Sequence, residues 1–180
     1  MADTGFEAAS REVGAWLPVD IDAQQIFRGE LVSDELARTA LLDGIDRGAL
    51  LVDYMGHGSE ASWRGDLLPT ADVGSLVNGS RLPFFVNMTC WNGWFSDPYA
   101  ETLGESLLRA AQGGAIAVWA SSGLTEPETQ LVMNKELVRL LFGGESLSLG
   151  EAVVKAKASV GDMDVRRTWI LLGDPVTRLK

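Results

Sequence analysis

The two side chains that most often carry thiol and proton-transfer chemistry are scarce in this sequence: one cysteine, Cys90, and one histidine, His57. A single cysteine makes no internal disulfide, and one Cys with one His falls short of the four ligands usual in a structural zinc site. If the chain uses a thiol together with an imidazole, each has one candidate. Basic residues are also under-represented, with 15 Lys and Arg against 25 Asp and Glu and a formal net charge of −10. Such a balance repels a phosphate backbone and leaves no basic stripe, which disfavours nucleic acid as a partner. The acidic field serves solubility first, and it would also draw in peptides bearing Lys or Arg. Long apolar runs are missing too. Stretches such as Gly114–Ala120 are far shorter than the roughly 20 residues of a membrane span, so no membrane association is expected. The opening Met-Ala-Asp-Thr-Gly-Phe has neither a charged n-region nor an apolar h-region, and no export signal is expected within it.

What is present is the material for one core. A chain of 180 residues with 46% apolar content suits a single domain. The pattern predicts a helix over 6–17, a strand over Gln24–Arg28, and a helix capped by Ser33 and closed at Gly48. Next come a buried strand over Ala49–Met55, a short helix near Asp72–Val77 and a second buried strand over Pro83–Met88. A helix over Glu101–Ala111 and a third buried strand over Gly114–Trp119 follow. Thr125-Glu126-Pro127-Glu128 has the spacing of a capping box and opens a helix to about Phe142. A helix over Leu149–Val160 and a strand over Thr168–Leu172 complete the chain. Alternation of strand and helix predicts an α/β fold: a three-layer sandwich with a mostly parallel central sheet and helices on both faces.

In such sheets function gathers at the carboxyl ends of the strands. His57 and Cys90 both sit there, each just past a buried strand and each with glycine within a few residues. Their separation of 33 positions is enough for a crossover between neighbouring parallel strands. A thiolate attacks, an imidazole can take its proton, and backbone N–H groups in glycine-rich turns can receive a developing oxyanion. Gly58 and the amide of Cys90 are the candidates for that last part. Read one at a time, Cys90 could be a small buried hydrophobe and His57 a turn residue; their equivalent placement favours a shared site.

The segments Leu51-Val52-Asp53-Tyr54-Met55-Gly56-His57-Gly58-Ser59-Glu60 and Leu82-Pro83-Phe84-Phe85-Val86-Asn87-Met88-Thr89-Cys90-Trp91-Asn92-Gly93 resemble the catalytic blocks of gingipain-type cysteine peptidases. That family lies within the caspase-like group with legumain and clostripain. Trp63, the stretch Leu76–Pro83, Gly113–Ser122 and the terminal Trp169–Leu179 with its Gly-Asp-Pro extend the likeness over most of the chain from Ala2 onward.

The resemblance implies a caspase-like peptidase domain over residues 1–180 whose first family strand lies ahead of residue 1. It implies Cys90 as nucleophile, His57 as general acid/base, an oxyanion hole at Gly58 and Cys90, and endopeptidase activity that in many members selects Arg or Lys. Asp3 and Glu7 are candidates for an acid that orients the histidine. Trp63, Trp91, Trp119, Leu124 and Glu126 are candidates for the substrate pocket, beside plainer readings as core or helix-entry residues. The implied partner is a protein or peptide substrate within a larger multidomain chain that is secreted or cell-surface. No cofactor or metal is expected, and the sequence leaves a structural calcium open without predicting one. Two other functions fit the same residues: a caspase-like binding or regulatory domain without turnover, and a Cys-His hydrolase or transferase acting on a non-peptide acyl group.

Overall fold

The computed structural model describes residues 4–179. Its centre is a four-stranded sheet in the order β1-β2-β3-β4. Strands β1 (Leu51–Met55), β2 (Phe84–Met88) and β3 (Ala117–Ser121) run parallel, and β4 (Trp169–Gly173) lies antiparallel to β3. The mostly parallel sheet matches the expectation. All five residues of β2 and of β3 are buried, which is what continuous apolar runs require when helices cover both faces.

Side chains alternate between those faces, as the period of two demands. On one face Phe84, Val86, Met88 and Trp119 pack with Met133, Leu137, Leu149 and Val153. Those partners come from α5 (Pro127–Phe142) and α6 (Leu149–Ala158), while α1 (Thr4–Gly14) and α7 (Met163–Thr168) contribute Val13 and Val165. On the other face Phe85, Val118 and Ala120 meet Ala37 and Ile45 of α2 (Asp34–Arg47), Val73 of α3 (Thr70–Val73), and Leu103 and Leu107 of α4 (Leu103–Arg109). Leu103 and Leu107 are fully buried, each contributing roughly 1.5–3 kcal/mol from removal of apolar surface.

Helix ends follow side-chain chemistry. Ser33 accepts from the Leu36 N–H at 3.2 Å to open α2, which closes at Gly48 with φ +95°. Capping boxes open α4 through Thr102 and Glu105 and α6 through Ser148 and Glu151. The capping box expected at Thr125–Glu128 is not formed. Glu126 is the N-cap residue and makes no side-chain cap bond, with Pro127 in the first turn, so Thr125 stands one residue too early to cap.

Four other expectations shift. Residues 24–28 form no strand, because Gln24 accepts from Arg47 at 2.7 Å and Arg28 grips Asp34 through two bonds of 2.8 and 2.7 Å. These ties lay the segment along α2 instead of β1. β3 starts later than expected, at Ala117, because Gly114 (φ +95°) is held by both ends of the Asn78 amide, at 2.8 and 3.0 Å. The helix α7 was not anticipated, although Asp162 caps it by accepting from the Asp164 and Val165 N–H groups. The helix near Asp72–Val77 lies two residues earlier, at Thr70–Val73.

The outer edge of β1 pairs with no strand among the described residues. A groove of about 540 Å³ runs beside it, walled by α1, residues 21–28 and α2.

Candidate active site

The register sets the site. Leu51 through Met55 pair with Phe84 through Met88, and the Gly56 N–H reaches the Met88 carbonyl at 3.3 Å. His57 and Cys90 each stand two residues beyond the last pair, so the two loops that carry them leave the same rim of the sheet from adjacent strands.

The histidine loop is folded tightly upon itself. Tyr54 turns its ring over Gly56, where a Cβ would come within 2.4 Å of the phenol oxygen. Its hydroxyl donates to the His57 carbonyl at 2.7 Å, and the Arg64 N–H donates to the same carbonyl at 2.9 Å. The Tyr54 ring stacks on Trp63 with centroids 4.2 Å apart and planes 6° from parallel. Gly58 rests on Thr89, whose hydroxyl oxygen would be 2.6 Å from any Cβ there, so a side chain at 58 would push the loop off β2. The imidazole of His57 is exposed. The edge of Phe6 from α1 meets it, with centroids 5.0 Å apart at 78°. A depression of about 230 Å³ opens here, lined by His57, Gly58, Ser59, Ser62 and Arg64.

The cysteine loop leans the other way, onto the segment after β3. Cys90 is half-buried, its sulfur 3.8 Å from the Thr125 carbonyl oxygen. Trp91 takes φ +64°, the left-handed region, which costs a non-glycine residue roughly 1–2 kcal/mol. That conformation is held by the Trp91 N–H on the Gly123 carbonyl at 3.2 Å and the Gly93 N–H on the Ser121 carbonyl at 2.9 Å. The rings of Trp91 and Trp94 touch, 5.1 Å between centroids. The amide hydrogens of Gly58 and Cys90 meet no acceptor among the described residues.

The first turn of α4 joins both loops. A helix N-terminus leaves its first N–H groups without intrahelical partners; here Leu103 donates to the Glu60 carbonyl at 2.8 Å and Gly104 to the Asn92 carbonyl at 3.0 Å. Side chains add a second join. The Trp63 indole N–H donates to Asn92 Oδ1 at 2.8 Å, and Asn92 Nδ2 donates to the Ser59 carbonyl.

The other expected site residues separate into two groups. Trp91, Leu124 and Glu126 lie around Cys90 on or beside the segment 121–126, with Leu124 and Glu126 exposed. Trp63 and Trp119 are corrected to core residues: they are 1% and 0% exposed, Trp63 locked under Tyr54 and Trp119 packed 5.0 Å from Trp169, and neither offers a face to a substrate. The Glu7 carboxylate is engaged elsewhere, accepting from the Gly29 N–H at 2.6 Å. Asp3 lies outside the described residues.

One titratable group with a displaced pKa stands near the rim. Burial pushes the Asp53 carboxyl on β1 up to about 7, against the smaller opposing effect of its bond from Asn134 Nδ2 at 3.0 Å. Protein crowds this carboxyl, yet solvent reaches it along the open edge of β1. Among the described residues no group of three or more His, Cys, Asp or Glu could hold a metal ion, and no helix is long and apolar enough to cross a membrane.

Sequence reasoning did not single out Phe6, Thr89 or Asn92. Trp91-Asn92-Gly93 entered only as the end of the family-like block, and nothing local announces that its asparagine reaches a tryptophan 29 residues away.

The gingipain-type resemblance is borne out by comparison with known proteins. The family model for peptidase family C25 matches residues 1–180. Gingipain R2 of Porphyromonas gingivalis is 30% identical over 149 residues, covering 75% of this chain and 20% of that protein. Gingipain R1 of Porphyromonas gingivalis is also 30% identical over 149 residues, with 75% of this chain and 15% of that protein covered. Among solved structures, the Arg-specific cysteine proteinase gingipain R superposes with a TM-score of 0.74 at 25% identity, covering 79% of this chain and 36% of that one. The complex of Porphyromonas gingivalis RgpB pro- and mature domains gives a TM-score of 0.73 at 25% identity, covering 79% of this chain and 37% of that one. The chain thus spans about a fifth or less of the curated relatives' length. With a family model matched end to end and a caspase-like sandwich of parallel strands carrying His and Cys at adjacent ends, the chain belongs to peptidase family C25.

Proposed function

We propose that this chain carries the nucleophile and the acid/base of a cysteine endopeptidase. The observation that supports it most is the register: His57 and Cys90 leave neighbouring parallel strands at the same level, beside two backbone amides that no acceptor among the described residues engages. In the forward step the Cys90 thiol gives its proton to His57 and the sulfur attacks the scissile carbonyl carbon. The oxygen takes up negative charge facing the Gly58 and Cys90 N–H groups. Collapse breaks the C–N bond as His57 hands the proton to the leaving amine. Water, deprotonated by His57, then attacks the acyl-enzyme and frees the thiol.

Preference for Arg or Lys before the cleaved bond is the finer part of this reading. The net charge of −10 and the exposed Glu126 beside the cysteine loop support it, as does the description of gingipain R as Arg-specific. The substrate is accordingly a protein or peptide. The short coverage of the relatives supports a larger parent protein, and the family resemblance supports secretion or surface display.

Profiling peptide libraries with wild type and Cys90→Ala tests the reading. We expect cleavage by wild type, loss of essentially all of it in the variant, and loss on thiol alkylation. Cleavage that survives both would end the proposal. A scaffold without turnover is the second reading, favoured by the absence, among the described residues, of any acceptor on the His57 imidazole. Peptide and simple ester substrates assayed side by side separate peptidase from other acyl-transfer activity.

A further inference from the structure

We infer that Asn92 is the residue that positions Cys90 against His57, an inference that rests on the dyad reading above. Asn92 is fully buried, and both ends of its side-chain amide are committed to the histidine loop. Oδ1 accepts from the Trp63 indole N–H at 2.8 Å, and Nδ2 donates to the Ser59 carbonyl. Its backbone belongs to the nucleophile's turn: the Asn92 N–H donates to the Cys90 carbonyl at 2.9 Å. Its own carbonyl is pinned by the Gly104 N–H at 3.0 Å, at an approach so close that a Cβ on residue 104 would lie 2.8 Å from that oxygen.

The far side of the tie is equally short. Trp63 stacks on Tyr54, and the Tyr54 hydroxyl holds the His57 carbonyl at 2.7 Å. Beside the packing of Gly58 on Thr89, the side-chain hydrogen bonds described between the turn that bears the sulfur and the loop that bears the imidazole both belong to one primary amide. Only asparagine suits the place. The gap asks for one acceptor and one donor on a single short planar group. Aspartate has no donor, serine has one atom to serve both partners, and glutamine is longer by a methylene. No ionised partner is involved, so the tie holds its geometry across the pH range in which a thiol and an imidazole exchange a proton.

A loop staple that only stabilises the fold and a staple that sets the dyad make different predictions. The test uses Asn92→Asp, which keeps the acceptor and removes the donor, and Trp63→Phe, which keeps an aromatic ring on Tyr54 and removes the indole N–H without adding charge. His57→Ala gives the reference for a broken dyad. Each is made in the full chain. The readouts are kcat and KM on a peptide ester, the rate of Cys90 modification by iodoacetamide at pH 6 relative to pH 9, and Tm.

The expected result for Asn92→Asp is a fall in kcat of about tenfold or more, with KM unchanged within about twofold, as sub-ångström to ångström misplacement of reacting groups produces. The pH 6 to pH 9 modification ratio should move most of the way to that of His57→Ala, and Trp63→Phe should move it in the same direction by less. If both variants keep the wild-type modification ratio and kcat while Tm falls, the staple is structural and the inference is overturned. Should Asn92→Asp not fold, the Trp63→Phe result decides by the same criteria. A wild type whose modification ratio already equals that of His57→Ala would overturn the dyad reading itself, and this inference with it.

Discussion

The two strands that deliver His57 and Cys90 differ sharply in how they are held. β2 is buried at all five positions and hydrogen-bonded to a strand on each side. Among the described residues β1 is paired on one side only, and its central residue, Asp53, meets solvent. The sulfur therefore stands at the end of an interior strand, while the imidazole stands at the end of the edge strand of the described sheet. Compensation appears in the loops. The Cys90 turn is held by its strand, the carbonyls of residues 121–125 and the Asn92 amide, whereas His57 is braced by the Tyr54 hydroxyl, the Arg64 amide, the Phe6 ring and the Trp63 stack.

Three measurements sharpen that contrast. The largest effect should come from β2: Phe85, 0% exposed on the face of β2 that packs against α2 and α4, leaves a cavity on truncation, and Phe85→Ala should cost about 3–5 kcal/mol in urea unfolding. An effect under about 1 kcal/mol would show that the centre of the sheet repacks freely. Next is the β1 brace. Tyr54→Phe keeps the stack on Trp63 and deletes the bond to the His57 carbonyl. It should lower stability by about 0.5–1.5 kcal/mol and lower kcat more than it raises KM. Equal activity in Tyr54→Phe and wild type would show that the histidine loop needs no such support.

The smallest effect is electrostatic. The Asp53 pKa of about 7 in the fold lies above the ordinary value of 3.8, so the fold favours the protonated acid. Below pH 4 no penalty exists, because both states hold the proton. As pH rises from 4 to 7 the unfolded chain releases it and the fold is increasingly taxed; above 7 the penalty is constant. Asp53→Asn should thus raise Tm by an amount near zero at pH 4 and greatest at and above pH 7. Because solvent reaches the carboxyl, the gain should stay below about 1 kcal/mol, or ~2–4 °C for a chain of this size. A gain independent of pH would exclude ionisation as its cause.

These differences also explain what the sequence disclosed. The β1 and β2 runs and the glycines at 56, 58 and 93 are local signals, and they located both loops and both chemical side chains without coordinates. The parallel pairing followed from crossover length. Residues 24–28 misled because the Ile26-Phe27 pair suits a short strand, while the contacts that hold the segment, Arg28 to Asp34 and Gln24 to Arg47, are made by side chains to a helix. The tryptophans misled in a similar way: type and proximity suggested a pocket, but burial of Trp63 and Trp119 is decided by what packs above them. Asn92 was unreadable because its meaning lies in partners on another loop. The antiparallel run of β4 depends on how the chain returns after α7, which no short motif encodes.

The half-paired β1 bears on how this chain behaves in a test tube. A strand edge that pairs with no strand among the described residues can template another copy, and a charge set in its middle is one of the few devices that discourages such pairing. Asp53 is that charge, and its carboxyl takes up a proton near neutrality. Acidifying the solution by one or two pH units should remove the guard and make self-association, seen as a concentration-dependent rise in light scattering, increase while the net charge is still negative.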